Sequence, residues 1–280
     1  MPEGDAVWRT ARQLHHALAG RVLTGSDFRV PTYATLDLTG YAVDEVVSRG
    51  KHILARIGDT TVHSHLKMEG VWHVYRPGER WRRPAHQARI VLSNNERQAV
   101  GFSLGALDVV PRAHEDDLVG HLGPDLLGSD WDADRAVSRL TSDPDRPVGL
   151  ALLDQRNLAG IGNIYRSEVC FVRGVDPRVP VGDVRDLGRL VEVARRMLYA
   201  NREHAAIVTT GNRRRGEQTW VYGRAGEPCR RCATTIERHH LGDGIDEPER
   251  SVYLCPVCQP PAPTRRDPSR ARSSGARRAR

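Results

Sequence analysis

Apolar positions near the start of the chain recur at the spacing of one helical face: Val7, Ala11, Leu14 and Leu18. The preceding Pro-Glu-Gly-Asp is helix punctuation, with Asp5 as the expected cap. From residue 21 to about 110 the pattern changes to short runs rich in Val, Ile and Thr. The segment "VVSRGKHILARIGDTTVHSHLKMEGVWHVY" breaks at Gly58-Asp59 as a hairpin does, and "ARIVL" meets "AVGFSL" across residues 93–97. Strands at this spacing predict an antiparallel β-sandwich. Beyond residue 130 helical spacing returns in "DADRAVSRLTS", "PVGLALLDQRNL", "NIYRSEVCFVRG" and "VRDLGRLVEVARRMLYANRE". The last puts Leu187, Leu190, Val191, Ala194 and Leu198 on one face. Residues 219–260 are turn-rich and carry cysteines. The pattern predicts an α+β multidomain chain: a β-sandwich with an N-terminal helix over 1–125, a helical domain over 126–218, a cysteine module over 219–260 and a tail over 261–280.

Composition adds two constraints. No apolar run is long enough to span a membrane and no secretory leader is evident, so a cytoplasmic, membrane-free protein is expected. The net charge of +7 looks like a polyanion binder's, yet the last 20 residues hold seven arginines and one aspartate, or +6, leaving +1 for the rest. That tail is too poor in apolar residues to fold and supplies sequence-independent attraction to phosphates. Charge in the body has to act through local arrangement.

Four of the five cysteines form two Cys-x-x-Cys pairs, Cys229/Cys232 and Cys255/Cys258, separated by 22 residues. In a cytosolic chain this spacing predicts one tetrahedral, structural Zn²⁺ with no open coordination position. Cys170 reads as a small buried hydrophobe, and His239 and His240 as surface residues. In "LLDQRNLAGIGNIYRSE" an apolar helix is expected to end near Asn157 and a new one to begin at Asn163. The exposed N–H groups of that second start suit a phosphate, although an ordinary helical hairpin has the same spacing. Lys51 in "SRGKHILARI" and the run Arg213, Arg214 and Arg215 are phosphate contacts or solvated charges. Pro2 and Glu3 are helix punctuation or a secondary-amine nucleophile beside a carboxylate. Residue types alone leave these pairs open.

The motifs in their order resemble the formamidopyrimidine-DNA glycosylase and endonuclease VIII family of DNA-repair enzymes. The matching stretches are "MPEG", "RGKHIL", "SHLKMEGVW", "LLDQRNLAGIGNIYRSE", "VYGRAGEPCRRC" and "RSVYLCPVCQ", spanning residues 1 to about 259. The resemblance implies a helix–two-turns–helix domain and a zinc-finger hairpin. It implies that Met1 is removed and that the Pro2 amine attacks C1′ of a damaged nucleotide, with Glu3 moving protons. It further implies that Lys51 and Asn163 bind phosphate near the lesion and that Arg250 grips phosphate and promotes strand cleavage. Met68 matches the apolar wedge that fills the gap left by an everted base, although a methionine at this spacing also fits a core position. Two departures stand out. Many relatives carry a glutamate where this chain has Ala6, and the segment "AIVTTGNRRRGEQTWVYGR" is short against the lesion-capping loop of the formamidopyrimidine branch. With "PEG" at the start, the resemblance leans to the endonuclease VIII branch. The expected activity is a monomeric bifunctional DNA glycosylase/AP lyase acting on oxidised bases, pyrimidines by preference, through a proline Schiff base and β,δ-elimination. The rivals are an AP lyase with weak glycosylase activity and a non-catalytic zinc-containing DNA-binding protein. In a bacterium such an enzyme works at the nucleoid.

Overall fold

The computed structural model describes residues 2–242 and 249–261. Met1 and all of the basic tail except Pro261 lie outside the described residues.

The periodic N-terminal segment forms helix α1 (Gly4–Leu18), with Val7, Ala11, Leu14 and Leu18 buried. Two four-stranded antiparallel sheets follow. One has the order β1-β6-β7-β5, from β1 (Gly25–Phe28), β5 (Val71–Tyr75), β6 (Ala88–Ser93) and β7 (Gln98–Phe102). The other has the order β2-β3-β4-β8, from β2 (Val43–Arg49), β3 (His52–Ile57), β4 (Thr60–His65) and β8 (Ala106–Pro111). Alternating residues of the two sheets, including Val43, Ile53, Ile57, Val62, Ile90 and Leu92, meet the apolar face of α1 in one core. The β3–β4 turn runs through Gly58 at φ +54°, where a side chain would be strained. In the β6–β7 turn Asn94 Oδ1 accepts the N–H groups of Glu96 and Arg97, while Nδ2 donates to the Ala17 carbonyl at 2.9 Å. One asparagine thus closes a hairpin and fastens it to the end of α1.

After the short helix α2 (Asp116–Val119), four helices form the second core: α3 (Ala133–Thr141), α4 (Val148–Leu153), α5 (Asn163–Arg173) and α6 (Leu187–Asn201). Asp132 and Asp186 cap α3 and α6, accepting the N–H groups of Arg135 and Arg189 at 2.9 Å, contacts of about 1 kcal/mol each. The face of α6 read from periodicity is the buried one. Helix α4 ends at Leu153, earlier than the sequence pattern suggests. Asp154 leaves the helix, accepts the Arg156 N–H and holds the guanidiniums of Arg146 and Arg156. Strands β9 (Glu237–Leu241) and β10 (Arg250–Leu254) pair antiparallel, and β10 packs on α5.

The two halves are stitched by main-chain contacts. Gly4 N–H donates to the Gly160 carbonyl at 2.8 Å, and Gly50 N–H to the buried Asp125 carboxylate at 2.8 Å. A Cβ on Gly4 would lie 2.9 Å from Gly160 Cα. Gly4→Ala gains about 1 kcal/mol of helix propensity but forces two backbones apart, which costs about 1–3 kcal/mol. The variant is therefore expected to unfold at lower urea concentration than the wild type; an unchanged or higher midpoint would show that the junction yields freely.

Candidate active site

The site is built from the first turn of α5. Its N-cap residue, Gly162, has no side chain to offer, so the opening N–H groups need an acceptor from elsewhere. Glu3 supplies it: Oε1 accepts from Ile164 N–H at 2.8 Å and Oε2 from Tyr165 N–H at 3.4 Å. Glu3 is 1% exposed, and a Cβ on Gly162 would collide with its carboxyl group. Burial raises the Glu3 pKa, and Lys51 together with the Ile164 N–H pulls it back. Asp5 does not cap α1. The helix begins one residue earlier, and the Asp5 carboxylate turns inward to accept the Tyr165 hydroxyl at 2.9 Å. Both N-terminal carboxylates thus reach across to α5.

Lys51 follows Gly50 in the β2–β3 turn and is 7% exposed, so it is not a solvated surface charge. Burial lowers its pKa to about 8 against the opposing pull of Glu3, with Arg250 lowering it further. It lines a cavity of about 890 Å³ together with His65, Met68, Arg146, Asn163, Tyr222 and Arg250. Asn163 opens α5, and its Nδ2 donates to the Ser251 carbonyl at 2.9 Å, tying α5 to the strand that begins with Arg250. The buried Arg166 donates to the same carbonyl at 3.0 Å and to Asn163 Oδ1. Met68 is 69% exposed at the tip of a tight turn closed by Gly70 N–H to the Leu66 carbonyl at 2.9 Å, so it is not a core residue. The wall therefore unites Lys51, Met68, Asn163 and Arg250, with Glu3 in the charge field of Lys51 and the half-buried Pro2 next to Glu3. Arg213, Arg214 and Arg215 do not join this wall. They occupy an exposed loop tied off by Thr209 N–H to the Gln218 carbonyl at 2.8 Å, where Arg213 meets His204.

Several residues of this site are not singled out by sequence reasoning. His65 Nδ1 accepts the Lys67 N–H at 2.9 Å, leaving any neutral-ring proton on Nε2. Behind it His52 and His63 are linked at 2.8 Å and His63 reaches Asp108 at 2.9 Å. Burial, with neighbouring histidines and Lys51, lowers His52 to about 3 and His65 to about 4, so both rings are neutral at physiological pH. Tyr222 is positioned by Glu168, a fully buried carboxylate accepting the N–H groups of Trp220, Val221 and Tyr222 at 2.8–2.9 Å. Only the period-2 pairing of His63 and His65 on one strand face hints at such a cluster in the sequence.

The four cysteines converge. Their sulfurs all lie within 4.8 Å of one another, and Cys232 approaches Cys255 at 3.4 Å and Cys258 at 3.5 Å. Thiolates about 2.3 Å from a tetrahedral ion stand about 3.8 Å apart, so the group fits one metal ion with every position filled by protein. Gln259 joins this module to the end of α5, accepting from Cys255 N–H at 2.9 Å and donating to the Val175 carbonyl at 2.8 Å. His239 and His240 lie on β9 outside the cluster.

Residues 1–103 match the formamidopyrimidine-DNA glycosylase N-terminal domain, and residues 122–208 match the H2TH domain of the same enzymes. The chain belongs to the formamidopyrimidine-DNA glycosylase family. It is 56% identical over 268 residues to the probable endonuclease 8 2 of Streptomyces coelicolor, covering 94% of this chain and 96% of that one. It is 52% identical to the DNA-(apurinic or apyrimidinic site) lyase Nei2 of Mycolicibacterium smegmatis, covering 92% and 99%. These relatives place it in the endonuclease 8 branch of this family of DNA glycosylases and AP lyases. A formamidopyrimidine-DNA glycosylase from Lactococcus lactis, solved on DNA containing an AP site, shares the fold at TM-score 0.76 and 21% identity, over 92% of this chain and 100% of that one.

The lysine gives this glycosylase-family site a pH signature. Between about pH 8, where folded Lys51 loses its proton, and its ordinary value of 10.5, the unfolded chain holds a proton that the fold has released. Stability from this group therefore rises with pH across that window and is level below it. Relative to Lys51→Met, the wild type is expected to gain about 2–3 kcal/mol in urea unfolding over the whole interval. A flat difference from pH 7 to 10 would mean that Lys51 is solvated.

Proposed function

We propose that this chain is a bifunctional DNA glycosylase and AP lyase that removes oxidised pyrimidines, with the Pro2 amine, freed by removal of Met1, as nucleophile. The observation that carries this reading is the fixing of Glu3, and with it the chain's second residue, between the start of α5 and Lys51. A residue needed only to begin a helix has no reason to be held across two domains.

The chemistry follows from the groups present. A terminal amine titrates near pH 8, so a useful fraction is unprotonated at neutral pH. Its attack on C1′ forms a C–N bond while the glycosidic bond breaks, and the sugar ring opens to an iminium. That cation is the electron sink for loss of a C2′ proton and expulsion of the 3′ phosphate, then of the 5′ phosphate. Glu3, with its pKa raised by burial, can hold or release a proton while the ring opens. Lys51, Asn163 and Arg250 line the adjoining cavity, where they would hold phosphates of the damaged strand. A base inside a duplex cannot reach Pro2 without eversion, and Met68, the exposed apolar tip, would fill the space it leaves. The cysteine cluster is assigned one Zn²⁺. Its coordination energy would fold the module whose strand β10 opens with Arg250. The pyrimidine preference goes with the resemblance to the endonuclease VIII branch and with the shortness of the loop bearing Arg213–Arg215, which Thr209 N–H ties to the Gln218 carbonyl. One chain carries every group the reaction needs, so a monomer is expected to act.

The Mycolicibacterium relative named as an AP lyase supports a second reading in which base removal is weak and abasic sites are the main substrate. Borohydride trapping separates the two. Duplexes containing thymine glycol and an abasic site should both be captured, with the adduct mapping to Pro2 in protein whose intact mass lacks methionine. Capture of the abasic duplex alone selects the lyase, and capture of neither removes the enzyme reading. Pro2→Gly should trap far less, and thymine glycol cleavage at the wild-type rate would exclude Pro2 as nucleophile. Elemental analysis should find one zinc per chain, and stripping it with a mercurial and chelator should abolish cleavage.

A further inference from the structure

Beyond the cavity, residues 76–87 connect β5 to β6 and fold over the face of their sheet that carries Tyr75, Val91, Val100 and Phe102. The loop is structured. Trp81 packs edge-on to Phe102 with ring centres 5.7 Å apart, donates to Gln98 Oε1 at 2.8 Å, and carries the Arg29 guanidinium 5.1 Å over its face. Tyr75 hydroxyl accepts the Arg82 N–H at 3.0 Å. These contacts account for the tryptophan. They do not account for Arg76, Arg80 and Arg82, which stand exposed around it.

The loop's acid, Glu79, is turned to the Arg76 main-chain N–H at 3.0 Å, and among the described residues no carboxylate lies within ion-pair distance of the guanidiniums of Arg76, Arg80, Arg82 or Arg83. Elsewhere arginines are commonly neutralised, as in Arg56 with Glu45 and Glu115 or Arg178 with Asp176. The effect is local: His73 is lowered by burial and then by Arg82 and Arg83. Arg83 Nη1 also reaches the Glu69 carbonyl at 3.4 Å, next to the exposed Met68. The Met68 turn therefore shares the cavity with Lys51, Asn163 and Arg250 and is joined through Arg83 to the loop that carries the unneutralised guanidiniums.

We infer that Arg76, Arg80, Arg82 and Arg83 bind the phosphates of the strand opposite the lesion. This rests on the DNA-repair reading above and extends its footprint to the second strand. A residue entering the base stack from one side has the damaged strand on one flank and the complementary strand on the other. The first flank is met by the cavity. Guanidiniums fork onto phosphate oxygens without reading bases, so the surface adds affinity for duplex rather than sequence preference.

The test is the double variant Arg80→Gln/Arg82→Gln, both at exposed positions, in full-length zinc-loaded protein. Binding to a tetrahydrofuran abasic analogue is followed by anisotropy against salt, in a duplex and in the same oligonucleotide single-stranded. For the duplex, the slope of log affinity against log salt should fall by about 2, with roughly tenfold weaker binding at moderate salt, while the single strand loses less than twofold. Equal loss on both substrates would place the arginines on the damaged strand and overturn the inference. An unchanged duplex slope, or binding of an acidic protein with duplex affinity intact, would overturn it too. Borohydride trapping on a single-stranded abasic oligonucleotide reports the Pro2 chemistry independently, so failure of that reading is visible apart from failure of this one.

Discussion

The arrangement turns on one contact, the Glu3 carboxylate on the first N–H groups of α5. An isolated buried carboxylate is costly, and three features make this one tolerable: two main-chain donors, the positive end of a helix and a nearby lysine. Each imposes its own demand on sequence. The donors must be unobstructed, hence Gly162 before the helix. The two backbones must touch, hence Gly4 against Gly160. The lysine must reach inward from a strand turn, hence Gly50 at φ +58° ahead of Lys51. Four glycines from three separate stretches of the sequence share one cause.

The same contact distributes charge through the cavity. Arg250 disfavours the charge on Lys51, and His52 and His65 stay neutral beside it. A phosphodiester entering the site would relieve that repulsion. The energy stored in crowded cations then favours the complex, which is one way to bind a polyanion with a body whose net charge is nearly balanced.

Elements governed by local rules were legible in the sequence. Helix α1, the two hairpins, the buried face of α6 and the convergence of four cysteines follow from periodicity, turn residues and ligand spacing. Pairings made across the fold were not. Asp5 has the residue type and position of a cap, yet a tyrosine hydroxyl from α5 captures it. Helix α4 ends early because Asp154 finds two arginines. Met68 reads equally as core or as tip until a turn with Lys67 at φ +49° lifts it into solvent. The arginine triplet 213–215 is the most conspicuous basic run in the body and lies off the cavity wall, whereas the more scattered run 76–83 reaches the Met68 turn through Arg83. Charge density along a chain says little about charge density in space.

The reach of the Glu3 contact also orders events in time. Its partner Ile164 lies 161 residues downstream. During synthesis at about 5–20 residues per second, the amino terminus therefore waits roughly 10–30 s before the helix that will hold it exists. Throughout that interval Glu3 has no partner on α5, and afterwards its carboxylate is fixed between two domains. If Pro2 is the nucleophile, chain length acts as a timer that lets maturation of the terminus precede its enclosure.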